Sequence, residues 1–103
     1  MFMDKRIIIS GANGFIGSNI IFELLASSTP VTAIVQRTSN TENLKRIKCY
    51  NILSTDNYLD PAIIRKLSIS KPEHFIHCAW NDNHIKNTQN LIQAIELAKI
   101  LKC

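Results

Sequence analysis

The segment IIISGANGFIGS, residues 7–18, constrains the fold of this chain more than any other stretch. A run of β-branched residues ends at Ser10, and Gly11, Gly14 and Gly17 follow at a spacing of three. Residues 15–27 then carry apolar side chains at intervals of three and four, which is helical spacing. The segment therefore predicts a buried strand, a glycine turn and a helix.

Each glycine has a physical reason to lie in such a turn. Gly11 lets the chain turn sharply, Gly14 lets the backbone approach a bound group, and Gly17 lets the helix pack closely on the sheet. The helix begins with free N–H groups and the positive end of its dipole, an arrangement that binds phosphate. A tight turn without a ligand is the alternative. The flanking strand and helix favour a dinucleotide site whose pyrophosphate lies on the turn.

Strand-like and helical segments alternate along the rest of the chain. Strands are predicted at residues 5–10, 31–36, 48–53 and 73–79, and helices at residues 15–27, 56–68 and 84–101, with a short helix ending near residue 45. This order is typical of an α/β protein with a parallel sheet and right-handed crossovers. We find no internal repeat or linker and predict one domain over residues 1–103. The final helix is expected to bury one apolar face, made by Ile85, Thr88, Leu91, Ile92, Ile95 and Ala98.

Composition excludes several classes of protein. The formal net charge is +4, but the twelve basic residues are scattered, so a nucleic-acid partner is not predicted. No apolar stretch approaches the roughly 18 residues of a membrane span. The three cysteines have no framework spacing and are expected to be reduced thiols in a cytoplasmic protein.

Three segments resemble one known family. The turn SGANGFIG at residues 10–17 resembles the Gly-x-x-Gly-x-x-Gly turn of the extended short-chain dehydrogenases, the NAD-dependent epimerase/dehydratase family. FIHCAW at residues 75–80 resembles that family's fourth strand, and NTQNLIQA at residues 87–94 resembles the following helix. The resemblance implies a Rossmann-like sheet of order 3-2-1-4 that is truncated after its fourth βα unit. It also implies cofactor contacts from Gly11, Asn13, Gly14, Phe15, Ile16, Gly17, Cys78, Ala79 and Trp80.

The end of the second strand bears on the choice between NAD and NADP. An acidic residue about 20 positions after the glycine turn normally binds the adenosine ribose of NAD. Gln36 and Arg37 stand there instead, and a guanidinium can bind a 2′-phosphate. We therefore predict NADP in preference to NAD, although Arg37 as a solvated loop cation is the alternative. After its third strand the resembling family places an aspartate and an apolar residue against adenine, and the resemblance implies that Asn51 and Ile52 correspond to them.

Other candidate residues have simpler interpretations. His74, His77 and Cys78 suggest a metal site, but His74 and His77 lie on opposite faces of a strand, so no metal site is predicted. Trp80 is equally well interpreted as a cofactor contact or as a surface or interface aromatic.

Catalysis in the resembling family uses a Tyr-x-x-x-Lys pair with a Ser or Thr. Tyr50 and Tyr58 are followed four positions later by Ser54 and Ala62, so no catalytic residue is assigned. The chain is expected to be the cofactor-binding part of an epimerase, dehydratase or reductase that acts on a nucleotide sugar or a related carbonyl compound by hydride transfer. The alternative is a non-catalytic dinucleotide-binding module or a truncated remnant. The fourth strand is expected at an open sheet edge, where a homodimer or other self-association could form.

Overall fold

The computed structural model describes residues 6–103. Four strands and four helices alternate along the chain, and the strands form one parallel sheet in the order β3-β2-β1-β4. The α/β architecture and the strand order confirm the prediction. The elements are β1 (Ile7–Ser10), α1 (Phe15–Ala26), β2 (Val31–Val35), α2 (Glu42–Arg46), β3 (Ile52–Ser54), α3 (Pro61–Ser70), β4 (His74–His77) and α4 (His84–Leu101).

The two central strands are buried on both faces, which explains their continuous apolar sequences. All residues of β1 and β2 are buried, and Ile9 pairs with Ala33 on one side and with Ile76 on the other. Ile9 and Ala33 belong to the core beneath α1 and α2, whereas Ile8 and Ile34 belong to the core beneath α3 and α4. Helices therefore cover both faces of the sheet.

The start of α3 shows how local chemistry fixes a helix boundary. Asp60 is the N-cap and accepts a hydrogen bond from the Ala62 amide at 2.9 Å, and Pro61 occupies the first helical turn. The preceding residues form a turn in which the Thr55 hydroxyl and the backbone of Asn57 are hydrogen-bonded to each other. The predicted start at residue 56 was therefore too early.

The third strand also differs from its prediction. Residues 48–51 lie outside β3, which begins at Ile52. Lys48 has a φ of 63°, a left-handed conformation that no strand residue adopts, and its amide donates to the Lys45 carbonyl in a turn after α2. The strand prediction at residues 48–53 was therefore wrong at its start and ended one residue early.

The predicted core face of α4 lies largely outside the core. The helix buries Asn87, Ala94 and Leu97, while Ile85 is 73% exposed and Ile92 is 57% exposed. Leu91, Thr88 and Ile95 are also exposed, and Ala98 is half-buried. A helix with apolar residues on two sides offers two candidate faces, and the sheet packs on the face that carries Ala94 and Leu97. We call the exposed apolar residues Ile85, Leu91, Ile92 and Ile95 the outer α4 stripe.

Several further features of the described residues bear on assembly. Between residues 6 and 103, β4 pairs only with β1, so the outer edge of β4 is open. Cys49, Cys78 and Cys103 are free thiols. Burial raises the pKa of all three cysteines, although a backbone hydrogen bond from Asn51 partly offsets this for Cys49. None of the helices in this part of the chain is long and apolar enough to cross a membrane.

Candidate functional site

A cleft of about 310 Å³ lies at the carboxyl edge of the sheet. In a parallel sheet all strands end at the same edge, so the loops that follow them come together there. The loops after β1, β2, β3 and β4 each contribute to the walls of this cleft, together with the start of α4. The lining residues are Gly11, Asn13, Gly14, Ile34, Val35, Gln36, Ser39, Thr55, Asp56, Tyr58, Cys78, Ala79, Trp80, Asn81, Lys86 and Asn90.

Gly11 forms the base of the cleft at the end of β1. Its φ is +63°, in the left-handed region that favours glycine. A Cβ on Gly11 would lie 2.5 Å from the Ala79 nitrogen and 2.6 Å from the Cys78 carbonyl carbon, both of which are backbone atoms. The loops after β1 and β4 therefore touch, and only glycine fits at this point.

Gly14 presents the amino end of α1 to the cleft. It is the N-cap of the helix, and no side chain caps this end within the described part of the chain. A Cβ on Gly14 would meet only the Gly11 carbonyl oxygen, at 3.3 Å, so the space in front of the helix is open. The first N–H groups of α1 are consequently available to an anion, with the helix dipole in the favourable direction.

Gly17 serves the packing of the turn. A Cβ there would collide with the Gly11 carbonyl oxygen and lie 3.1 Å from the Ala12 Cα. Gly17 is buried and does not line the cleft. Its hydrogen side chain lets α1 sit directly against the turn, so its contribution to a bound group is indirect.

The structure brings together six of the twelve site residues proposed from the sequence. Gly11, Asn13, Gly14, Cys78, Ala79 and Trp80 all line the cleft. Asn13 also fixes the turn against the loop after β2: its side-chain amide donates to the Asn40 carbonyl at 3.3 Å, and its own carbonyl accepts from the Asn43 side chain at 2.7 Å.

The side chains of Phe15 and Ile16 do not line the cleft. They are 85% and 65% exposed and lie on the outer side of the first turn of α1. Only their backbone N–H groups, at the open end of the helix, are placed to act on an anion. The family-like Phe-Ile pair therefore remains a prediction as a cofactor contact.

Arg37 lies beside the cleft without lining it. Its neighbours Gln36 and Ser39 form part of the wall, and the Arg37 side chain is exposed. The ion pair found among residues 6–103 is Lys99–Glu96, so the Arg37 guanidinium forms no ion pair there, although the Arg37 amide donates a hydrogen bond to Asp56 Oδ1 at 3.2 Å. A guanidinium in this position is free to turn toward a ligand.

The assignment of Asn51 and Ile52 requires a correction of position. Asn51 precedes β3 and lies at the amino edge of the sheet, where its side chain donates to the Thr32 hydroxyl at 2.7 Å. Ile52 begins the strand and packs against the core beneath α1. Thr55 and Asp56 are the residues that follow β3 and line the cleft. The two residues that were matched to the loop after the third strand therefore precede and begin that strand instead.

Among the lining residues that lie after β3 and β4 in the chain, sequence reasoning missed six, and it also did not propose Ile34, Val35, Gln36 and Ser39 as site residues. Thr55 and Asp56 would have followed from a correct end of β3, and Lys86 and Asn90 are one turn apart on the first turns of α4. Nothing in the local pattern singled out the remaining two. The six residues are Thr55, Asp56, Tyr58, Asn81, Lys86 and Asn90.

A buried polar group lies beneath the cleft. The Ser10 hydroxyl is hydrogen-bonded to His77 Nδ1, and the Tyr58 ring packs edge-on against His77 with ring centroids 6.0 Å apart. His77 Nε2 is buried and has no hydrogen-bond partner within residues 6–103, and burial lowers the pKa of His77. Burial also raises the pKa of Tyr58, an effect that a hydrogen bond with Ser10 partly offsets. Both rings are therefore neutral at physiological pH.

Asn87 fixes the loop after β4. Its side chain is fully buried, donates to the Asn81 carbonyl at 2.6 Å and accepts from the Asn81 amide at 3.0 Å. The paired bonds attach the cleft wall at Trp80 and Asn81 to helix α4. No group of three His, Cys, Asp or Glu side chains suited to a metal ion occurs within residues 6–103.

Comparison with protein-family models decides the family. Residues 7–99 match the model of the NAD dependent epimerase/dehydratase family, which is nearly the whole chain. The chain belongs to this family. A search of curated proteins finds no significant match.

Solved structures of epimerases and dehydratases share the fold of this family member. UDP-glucose-4-epimerase from Stenotrophomonas maltophila, solved with NAD, is 15% identical with a TM-score of 0.81, over 95% of this chain and 34% of that chain. ADP-L-glycero-D-manno-heptose-6-epimerase from Helicobacter pylori is 23% identical with a TM-score of 0.75, over 97% and 37%. dTDP-glucose 4,6-dehydratase from Bacillus anthracis, also with NAD, is 20% identical with a TM-score of 0.75, over 92% and 34%. At these identities the likeness shows the fold alone, and this family member spans about a third of each solved chain.

Proposed function

We propose that the cleft binds a nicotinamide dinucleotide. The observation that carries this proposal is the open amino end of α1 at Gly14, which faces the cleft with its N–H groups uncapped. A pyrophosphate on this helix end would place the adenosine half over the ends of β2 and β3 and the nicotinamide half toward β4. Lys86 adds a cation to the wall on the β4 side.

The residues present fit such a cofactor. Gly11 and Gly14 leave the phosphate position free of side chains, and the cleft has polar groups at both ends, Gln36 and Ser39 at one and Asn81 and Asn90 at the other. A bound nicotinamide supplies a hydride acceptor or donor. The residues of this chain bind and orient it, and none is assigned a proton-transfer role.

The finer proposal is that NADP binds in preference to NAD. Two observations support this preference. Positions 36 and 37, at the end of β2, hold Gln36 and Arg37 and no acidic residue, and the exposed Arg37 guanidinium lies beside the wall of the cleft without an ion pair in the described residues. Ser39 adds a hydroxyl at the same end of the cleft. Two of the compared solved structures contain NAD, which supports a nicotinamide dinucleotide as the ligand but does not support the preference for NADP.

Calorimetric titration of the 103-residue chain with NADP⁺ and with NAD⁺ tests both levels of the proposal. Saturable binding of either nucleotide supports the site, and tighter binding of NADP⁺ supports the preference. Arg37→Asp should then reverse the order of the two affinities. If a chain that is folded by circular dichroism binds neither nucleotide, the proposal is wrong.

We further propose that residues 1–103 are the cofactor-binding portion of a catalytic unit that acts on a nucleotide sugar or related carbonyl or hydroxyl compound. The support is the family membership and the share of the solved epimerases and dehydratases that this chain spans. A second candidate is a dinucleotide-binding module without catalysis, whose support is the cleft alone. Coding DNA that continues in frame beyond Cys103 with a Tyr-x-x-x-Lys pair would support the first and exclude the second.

The location and assembly of the chain are proposals as well. Three free cysteines are consistent with the reducing cytoplasm. Two features support self-association with a second copy of the chain: the open edge of β4 and the outer α4 stripe. Sedimentation of wild type and of Ile92→Lys would test this, because a charged side chain in the stripe should lower the association constant. A monomer at all concentrations would contradict it.

A further inference from the structure

A second concave surface lies at the amino edge of the sheet, at the other end of the strands from the cleft. Strand β2 begins at Val31, but its pairing with β3 begins only at Ala33 and Ile52. The first two residues of β2 therefore have no strand partner on that side, and the chain before β3 follows the turn at Lys48 instead. A groove of about 410 Å³ is lined by the start of β2 and by residues 48–51, and we call it the amino-edge groove.

Two cationic side chains line the amino-edge groove. They are Arg6, which precedes β1, and Lys48, and both are exposed. No acidic residue lines the groove within residues 6–103. An anion in the groove would therefore meet two positive charges without repulsion from a lining carboxylate. The two cations are far apart in the sequence, and the fold brings them to one surface.

The other lining residues give the groove an aromatic surface and a fixed base. Tyr50 lines the groove, and its side chain is 75% exposed. An exposed aromatic ring loses accessible apolar area when a planar ring stacks on it. The Asn51 side chain donates to the Thr32 hydroxyl at 2.7 Å, so these two lining residues hold the segment before β3 against β2.

The size of the groove suits a small ligand. Small-molecule sites have volumes of roughly 300–1,000 Å³, and the amino-edge groove lies within this range. Leu25, Pro30 and Val31 add apolar surface to its lining. A phosphate monoester carries a charge of about −1.5 to −2 at pH 7, which the two cations match. Cations, an aromatic ring and apolar surface together favour a ligand that joins a phosphate to a planar ring.

We propose that the amino-edge groove binds a phosphate monoester that carries a planar ring, the chemistry of a nucleoside monophosphate. Arg6 and Lys48 bind the phosphate, and the ring stacks on Tyr50. The groove and the cleft lie at opposite edges of the sheet, so this inference does not depend on the proposed dinucleotide function.

Lys48→Asn removes one charge and suits the backbone at that position. Lys48 has a φ of 63°, and asparagine is among the residues that adopt this conformation most readily. Lys102→Asn is the matched control, because Lys102 has a φ of 60° at the end of α4 and does not line the groove. Arg6→Gln removes the other charge. Tyr50→Ala removes the aromatic ring, and Tyr50→Phe keeps it.

The experiment titrates the isotope-labelled 103-residue chain with adenosine monophosphate and follows the backbone amide resonances by NMR. Shifts at residues 49–51 report the groove, and shifts at residues 11–17 report the cleft. The dissociation constant from the groove resonances should rise about threefold to tenfold in Lys48→Asn and in Arg6→Gln. It should stay within about twofold of wild type in Lys102→Asn.

Inorganic phosphate as a second probe separates the ring from the charge. Tyr50→Ala should weaken adenosine monophosphate about fivefold or more and leave the binding of inorganic phosphate unchanged, because phosphate has no ring to stack. Tyr50→Phe should bind both probes as wild type does. An equal loss of both probes in Tyr50→Ala would overturn the role of the ring.

Three further results would overturn the inference. Shifts confined to the cleft, or no shifts in either region at millimolar adenosine monophosphate, would mean that the groove binds no such ligand. Equal weakening in Lys102→Asn would mean that net charge alone attracts the ligand. Wild-type affinity in folded Lys48→Asn and Arg6→Gln would remove the phosphate contact. None of these results bears on binding of a dinucleotide in the cleft, which has its own test.

Discussion

Replacing Gly14 by serine should weaken ligand binding without weakening the fold. Gly14 has φ −75° and ψ 173°, an extended conformation that any residue adopts. It is the N-cap of α1 and provides no side chain to cap the helix. The open space in front of it is the proposed phosphate position, so a side chain there is tolerated by the protein and harmful to the ligand.

The magnitudes follow from the geometry of the cap. Serine at an N-cap is better than glycine by a few tenths of a kcal/mol, and replacing glycine restricts the unfolded chain by about 0.4–1 kcal/mol. The single close contact of the new Cβ, 3.3 Å from the Gly11 carbonyl oxygen, offsets part of this gain. We therefore expect Gly14→Ser to leave the free energy of unfolding unchanged or raise it by up to about 1 kcal/mol.

Binding should change in the opposite direction. The serine hydroxyl would accept the N–H bonds that a phosphate requires, and its Cβ would occupy the path of approach. We expect the dissociation constant for NAD⁺ to rise at least about tenfold, equivalent to about 1.4 kcal/mol. Urea denaturation and calorimetric titration measure the two quantities on the same sample.

Gly17→Ala provides the contrast. Its Cβ would collide with the Gly11 carbonyl oxygen, so the helix or the turn must shift, and the free energy of unfolding should fall by about 1–3 kcal/mol. Wild-type affinity in a stable Gly14→Ser variant would refute the placement of a phosphate on this helix end.

The remaining predictions concern the interior of the chain. Burial lowers the pKa of His77 in the folded state, so below about pH 6.5 the unfolded state binds more protons than the folded state does. The free energy of unfolding should therefore decrease as the pH falls from 7 to 5. Urea midpoints across this range should show a smaller dependence on pH in His77→Gln than in wild type. Asn87→Ala removes two hydrogen bonds to Asn81 and should reduce stability by about 1–3 kcal/mol in the same assay, and a wild-type midpoint would contradict that role. Leu67→Ala, at a fully buried position, should reduce stability by about 2–5 kcal/mol, whereas a change below about 1 kcal/mol would mean that α3 is not packed as described.

The glycine turn could be predicted from the sequence because its causes are local. Gly11 adopts a left-handed conformation and Gly17 lies against a carbonyl oxygen, and both requirements are met by residues within a few positions of each other. Strands β1 and β2 could be predicted equally well, because strands that are buried on both faces have continuous apolar sequences.

The third strand and the walls of the cleft depended on less local causes. Strand β3 has only three residues, and nothing in the amino-acid sequence indicates that Lys48 adopts a left-handed backbone conformation. Asp56 reached the end of β2 through pairing of β3 with β2, a contact between loops nineteen positions apart. A search for an acid along β2 alone could not find it.

The buried face of α4 illustrates a limit of periodicity. The helix carries apolar residues on two sides, and the repeat that includes Ile85 and Ile92 suggested the wrong one. The sheet packs on Ala94 and Leu97 instead, and Asn87 is buried because both ends of its amide are hydrogen-bonded. The spacing of apolar residues along a helix cannot indicate that a polar residue is buried because its side chain is fully hydrogen-bonded.

Because β1 lies between β2 and β4, its two sides are paired at very different sequence separations. Ser10 and His77, which are hydrogen-bonded in the finished sheet, are separated by 67 positions, so the second side of β1 is completed by a pairing of high sequence separation. Contacts of this kind slow folding because a long loop must close before they contribute. The Gly11 backbone meets its neighbour at Ala79 only after that closure. We therefore predict that the proposed nucleotide site forms only once β4 has paired with β1.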